Sequence, residues 1–138
     1  EKVVALAILM PIVASMGGIA GMQSLALVIR SQALDQIGSS NSRLLILKEA
    51  SIGVLNGILW SSVVALAVYL WFESVFLGIV IAAALLINLI IGAISGVSLP
   101  LILAKLKIDP ALAGGVILTT ITDIVGFISL LGIATLIL

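Results

Sequence analysis

Histidine and cysteine are both absent from this sequence. Without cysteine there is no disulfide, no thiolate metal site and no thiol nucleophile. Without histidine the commonest general base and the commonest transition-metal ligand are missing, so any ion site must be built from oxygen donors. Charge is nearly as scarce: six basic and six acidic residues amount to 9% of the chain and cancel, where soluble domains carry roughly a quarter charged residues. A net charge of zero argues against a nucleic-acid partner held through its phosphates. No basic start followed by a short apolar core and a small-residue cleavage site resembles a signal peptide.

What fills the chain instead is hydrocarbon. Hydrophobic residues make up 63% of the 138 positions, and the few charges divide them into four long runs, 3–29, 50–72, 74–104 and 110–138. A spanning helix needs about 20 apolar residues. The runs are too long and continuous for barrel strands, and they lack the polar face of a surface helix. The sequence therefore predicts an all-α membrane protein: one transmembrane domain over 1–138, folded as a bundle of four helices. "RSQALDQIGSSNSRLLILKE" joins the first two runs, with a short amphipathic piece at 42–48. A tight turn around Glu73 joins the next two, and "KLKIDP" the last two. In the third connection Asp109 reads as an N-cap and Pro110 as the first helical residue.

Orientation follows from the basic residues. Arg30, Arg43, Lys48, Lys105 and Lys107 fall on one side of an alternating topology and only Lys2 on the other. The two basic connections are expected to be cytoplasmic, which places Glu1 outside. A further helix upstream, giving an odd number of spans, is the simplest way to bring it there.

Gly17/Gly21, Gly53/Gly57 and Gly92/Gly96 each form a Gly-x-x-x-Gly pair, a spacing that lets helix backbones approach closely. Plain packing accounts for the last two. The first run is different, because "MGGIAGMQS" crowds three glycines, Gln23 and Ser24 into its middle. Adjacent glycines weaken a helix and expose its carbonyls, and freed carbonyls at depth are tolerated only inside protein or along a water-filled cavity. Packing and an ion path both fit.

Asp123 is the one charge within the fourth run. A charge at that depth costs about 2.5–3.5 kcal/mol on insertion scales. It lies about 21 Å along a helix from Asp109, and Gly17 lies about 20 Å from Arg30, so a glycine break and a carboxylate are expected at one level. Together they are ingredients of a hard-cation site. Helical spacing puts Val116, Thr119, Thr120, Asp123, Gly126 and Phe127 on one broad face, flanked by Gly115 and Thr122. The threonine hydroxyls could bond to the carboxylate or to water around an ion. The bland alternative has Asp123 protonated and gluing helices together. Glu49, taken alone, reads as a solvated helix-end carboxylate. Asn56 and Asn88 read as buried amides bonding between helices. Trp60, Tyr69 and Trp71 fit packing, the latter two near the outer interface.

Enzyme chemistry finds no support. Asp123 is the lone carboxylate at mid-membrane depth, serine chemistry lacks histidine, and no glycine-rich phosphate loop follows a strand. A homodimer changes the count, since two copies of Asp123 meeting at a two-fold axis would repel unless a cation or a proton neutralised them. Hydrated Mg²⁺ suits one or two carboxylates because it gives up water reluctantly. Taken with the resemblance given next, a passive Mg²⁺ channel leads. A proton- or sodium-coupled exchanger and a non-transporting packing subunit with neutral Asp123 are the alternatives.

"PIVASMGGIAGMQSLALVIRSQAL", "KEASIGVLNG" and "KIDPALAGGVILTTITDIVGF", in that order, resemble the transmembrane domain of the MgtE family of magnesium channels. The resemblance implies a multi-pass protein of the bacterial plasma membrane with five helices per subunit, of which this chain holds the second to fifth. It also implies a homodimer with one pore at the two-fold axis, and cytoplasmic magnesium-sensing domains on the same natural chain. Carried over by position, Asp123 matches the pore carboxylate that holds hydrated Mg²⁺. Thr119 and Gly115 match pore-lining positions around it, Gly18 falls in the glycine stretch whose backbone lines the pore, with Gly17 and Gly21 in the same stretch, and Thr120 lies beside Thr119. Glu49 matches an acidic position near the cytoplasmic pore mouth, which makes it a candidate metal ligand beside Asp123. Some members carry asparagines where this chain has Ile19, Met22 and Gly115, so amide side chains cannot contribute there.

Overall fold

The computed structural model describes residues 1–38 and 40–137. It contains four helices: α1 Lys2–Ala33, α2 Ser42–Phe72, α3 Val75–Lys105 and α4 Pro110–Ile137. All four are long and apolar enough to cross a membrane. At 28 to 32 residues they run about 42–48 Å, more than the ~30 Å hydrocarbon layer. Their ends therefore reach the headgroups, where the basic connections lie. The expected end of the last helix, Leu138, and Ser39 of the first connection lie outside the described residues.

α3 is the central element. It packs against α1, α2 and α4, and α1 also packs against α4. Half of its most apolar stretch is buried, against 22% for α2, so α2 presents most of its surface to lipid or to a partner. Small residues make the closeness possible. A side chain at Gly17 would strike Asn88, one at Gly96 would strike the Gly21 carbonyl, and a Cβ at Gly21 would sit 2.9 Å from the Gly92 carbonyl oxygen. Between α2 and α3, a Cβ at Gly53 would lie 2.8 Å from Ala93 and one at Gly57 2.7 Å from Leu86. The glycine pairs are packing seams, because backbone-to-backbone dispersion must hold helices together where lipid offers no hydrophobic reason to associate.

Two expectations fail here. α1 is helical without interruption through Gly17, Gly18 and Gly21, so the glycine stretch is not a break. The intrinsic cost of glycine in a helix, about 1 kcal/mol, is outweighed by the contacts its missing side chain permits. The second helix starts at Ser42, eight residues before the expected 50, and absorbs the amphipathic piece 42–48. Neither Lys48 nor Glu49 had to mark a boundary: a lysine can extend its charge toward the interface, and Glu49 is covered by a neighbouring helix.

The other connections agree with their sequence signals. Glu73 adopts φ 49° and ends α2 in the left-handed region. Ser74 caps α3, its side chain accepting from the Leu77 N–H at 3.4 Å. Asp109 Oδ1 accepts from the Ala111 N–H at 3.0 Å, the cap expected before Pro110. Lys2 lies over the Phe76 ring, 5.0 Å from its centroid, and so ties the start of α1 to the start of α3.

Candidate ion site

The buried residues of α4 are Gly114, Leu118, Thr122, Gly126, Leu130 and Ala134, a strict four-residue stripe that meets α1 and α3. Positions off that stripe are half-buried or turned outward. Asp123 is therefore exposed on the side of the bundle, as are Thr119, Thr120 and Val116. Gly126 does not share that face as expected. It belongs to the buried stripe, where a Cβ would lie 2.9 Å from the Asn88 amide and 3.3 Å from Ala14.

Asp123 and Thr119 line an open recess whose other wall is α1, including Ser15, Gly18, Met22 and Gln23. A Cβ at Gly18 would lie 3.5 Å from Thr122 Oγ, so the glycine stretch and the carboxylate do share one level of the bundle. Gly115 is half-buried one turn further along, beside the Met22 thioether. Gly17 and Gly21, in contrast, face α3 and α4 and do not line this recess.

The hydroxyls do not bond to the carboxylate. Thr119 Oγ donates to the Gly115 and Val116 carbonyls at 3.0 and 3.1 Å, and Thr120 Oγ to the Val116 carbonyl at 2.8 Å. A helix carbonyl three or four residues back is always within reach of a threonine, and it wins the proton. The hydroxyl oxygens keep their lone pairs as acceptors. Among the described residues no side chain or backbone group bonds to the Asp123 carboxylate.

Glu49 lies elsewhere. It is 5% exposed, two turns inside α2, and its Oε2 accepts from Ser24 Oγ of α1 at 2.8 Å. The solvated helix-end reading is therefore wrong, because α2 begins earlier than expected and carries this carboxylate under α1. Gln23, Ser24, Glu49 and Asn56 line a cleft between α1 and α2, on the other flank of α1 from Asp123. Gln23 lines both hollows. Asn56 forms no interhelical hydrogen bond among the described residues, contrary to expectation. Asn88 does: it is fully buried, with its amide donating to the Val13 carbonyl at 2.7 Å and its Oδ1 unpartnered. Sequence reasoning missed the Ser24–Glu49 link and the shared position of Gln23, although both polar residues of "MGGIAGMQS" signalled that α1 does more than pack.

A family model described as MgtE, divalent cation transporter, matches residues 10–133. The magnesium transporter MgtE of Bacillus subtilis is 41% identical over 135 residues, 98% of this chain and 30% of that protein. The magnesium transporter MgtE of Thermus thermophilus is 33% identical over 138 residues, 100% of this chain and 30% of its own length. That of Enterococcus faecalis is 31% identical over 131 residues, 95% of this chain and 29% of its own length. The chain thus spans about a third of the length of these relatives.

Proposed function

The chain belongs to the MgtE family of divalent cation transporters, and from that premise we propose that it carries the ion-conducting part of a Mg²⁺ channel, with the pore at the axis of a homodimer. One observation carries the reading: an exposed, unpartnered carboxylate, Asp123, on the lateral face of a membrane helix otherwise dressed in Val116, Ile124 and Phe127. Left to lipid, that charge is costly. Two copies brought together by a two-fold axis share one divalent cation and become neutral as a set.

The remaining parts follow from the same recess. Hydrated Mg²⁺ keeps most of its water, so the wall needs acceptors for water protons more than direct ligands. The outward lone pairs of Thr119 in the recess and of Thr120 on the adjoining exposed face supply them, and Gly18 and Gly115 leave the room for water. The Met22 thioether and Ile19 beside them are weak or apolar partners, which leaves water to satisfy those levels. An inward-negative potential supplies about 4.6 kcal/mol per 100 mV for a divalent ion, twice the 2.3 kcal/mol of one elementary charge, so no coupled ion is needed. Cytoplasmic regulatory domains and an upstream helix on the natural chain, and lipid around the bundle, belong to the same proposal.

The test is Mg²⁺ uptake into liposomes under a clamped inward-negative potential, comparing the protein with its Asp123→Asn variant. The substitution removes both carboxylates of the set and is expected to cut the flux at least about 100-fold, equivalent to ~2.7 kcal/mol and within the range for leaving a charge without its partner. Undiminished uptake by Asp123→Asn overturns the proposal and favours a packing role for the carboxylate. Uptake that stops without a sodium or proton gradient at fixed voltage overturns it in favour of a coupled exchanger.

A further inference from the structure

A second polar hollow lies within one chain, on another flank of α1 from Asp123. On α1, Ala20, Gln23, Ser24 and Leu27 fall at one helical face, and on α2 Glu49, Ile52, Gly53 and Asn56 repeat the same spacing. The two faces oppose each other across a cavity of about 140 Å³ floored by α3. It stays open because α1 and α2 do not pack closely on one another. Gly53, close against Ala93, adds no side chain to fill it.

We propose that this cleft is a second divalent-cation site, with the Glu49 carboxylate as its anionic ligand and Gln23 and Asn56 as neutral oxygen ligands or holders of the ion's water. Glu49 is 5% exposed and receives one hydrogen bond, from Ser24. Among the described residues no lysine or arginine pairs with it, and neither Gln23 nor Asn56 has a hydrogen-bond partner. A buried carboxylate is stable only when paired, metal-bound or neutralised. Here one carboxylate lines a cavity with room for several waters, together with two amide side chains that have no partner among the described residues. The described residues hold no cluster of three acidic side chains, so the ion keeps part of its water, as Mg²⁺ does when bound through a single carboxylate. Ser24 acts as a positioning residue, its hydroxyl fixing the carboxylate that meets the ion. The inference rests on the proposed function only in its choice of a divalent ion; it needs neither the dimer nor Asp123.

Mn²⁺ serves as the probe, because its electron paramagnetic resonance signal disappears on binding and returns when Mg²⁺ displaces it. Bound Mn²⁺ is counted on the protein in lipid nanodiscs, for wild type, Asp123→Asn, Glu49→Gln and the double variant, each checked for helix content and monodispersity. One Mg²⁺-displaceable equivalent per chain is expected to persist in Asp123→Asn and to vanish in Glu49→Gln. Ser24→Ala, which leaves the carboxylate in place, is expected to weaken that equivalent about 10-fold, as loss of a partner orienting a ligand does. The proposal is overturned if Glu49→Gln binds as much Mn²⁺ as wild type. If Glu49→Gln does not fold, wild-type affinity in both Ser24→Ala and Gln23→Leu overturns it instead. Failure of the pore reading shows separately, as undiminished flux in Asp123→Asn.

Discussion

Gly92→Ala tests the seam between α1 and α3, one turn from Asn88. A Cβ on Gly92 would sit 2.5 Å from the Gly17 carbonyl oxygen and 3.3 Å from the Gly17 carbonyl carbon. Close carbon–oxygen contacts settle near 3.3 Å, so the two helices must part by about 0.8 Å. A gap of that size forfeits about a quarter to a half of each dispersion contact along the seam, and overpacked cores lose ~1–3 kcal/mol. The same shift stretches the Asn88 amide bond to the Val13 carbonyl, now 2.7 Å, to about 3.5 Å, past the useful range. Such bonds in membranes are worth about 0.6 kcal/mol on average and up to ~1.7. Alanine returns about 1 kcal/mol of helix propensity. The net is a destabilisation of about 2 kcal/mol, measured by SDS titration in mixed micelles followed by circular dichroism. Gly132→Ala is the control, because nothing lies within 4 Å of a Cβ there. A Gly92→Ala protein as stable as Gly132→Ala would refute the view that backbone contact between α1 and α3 holds the bundle.

Two further substitutions probe the recess and the outer turn. Thr119→Val removes a hydroxyl whose proton serves only its own helix, so stability should change by less than about 1 kcal/mol while Mg²⁺ flux falls several-fold. Equal flux would mean that Thr119 contributes no acceptor to the ion's water. Glu73→Gly relieves a left-handed residue at φ 49°, a conformation costing roughly 1–2 kcal/mol for a side-chain-bearing residue. After the entropy of glycine is subtracted, the variant should be more stable by about 0.5 kcal/mol, read in the same SDS titration. A destabilised variant would show that the Glu73 side chain makes a contact outweighing the strain.

The number of helices, the Asp109 cap and the turn at Glu73 were legible because each rests on local chemistry: run length, a side-chain acceptor before a proline, a short polar interruption. What was not legible depended on neighbours. A charge looks like a helix boundary only if it must face water, and Glu49 does not, since α1 brings Ser24 over it. Three glycines look like a break only if nothing fills the space they leave, and α3 fills it. Thr119 and Thr120 were expected to serve Asp123, but a carbonyl within their own helix is nearer than any carboxylate. Gly126 was grouped with Asp123 by its three-residue spacing, yet it is four residues from Thr122, and the four-residue stripe is the one that α1 and α3 bury.

The failures at Glu49, the glycine stretch and Gly126 share a cause, which is that α1 serves three neighbours at once. Its Gly17 and Gly21 edge lies against α3, so closely that α3 can floor the cleft holding Glu49 while still reaching α4 through Asn88 and Gly126. Its Gly18 edge meets Thr122 and opens onto Asp123, and its Ser24 edge reaches Glu49. Gln23 stands where those two polar edges meet and lines both hollows. A bulkier α1 would have separated α3 from α4 and closed neither hollow with a polar group. The small residues therefore bear on the proposed ion site indirectly: by thinning α1, they allow a carboxylate on each of its flanks with one amide between them. A rotation of α1 that favoured one hollow would carry Gln23 away from the other, so occupancy of the two is expected to be linked through that side chain.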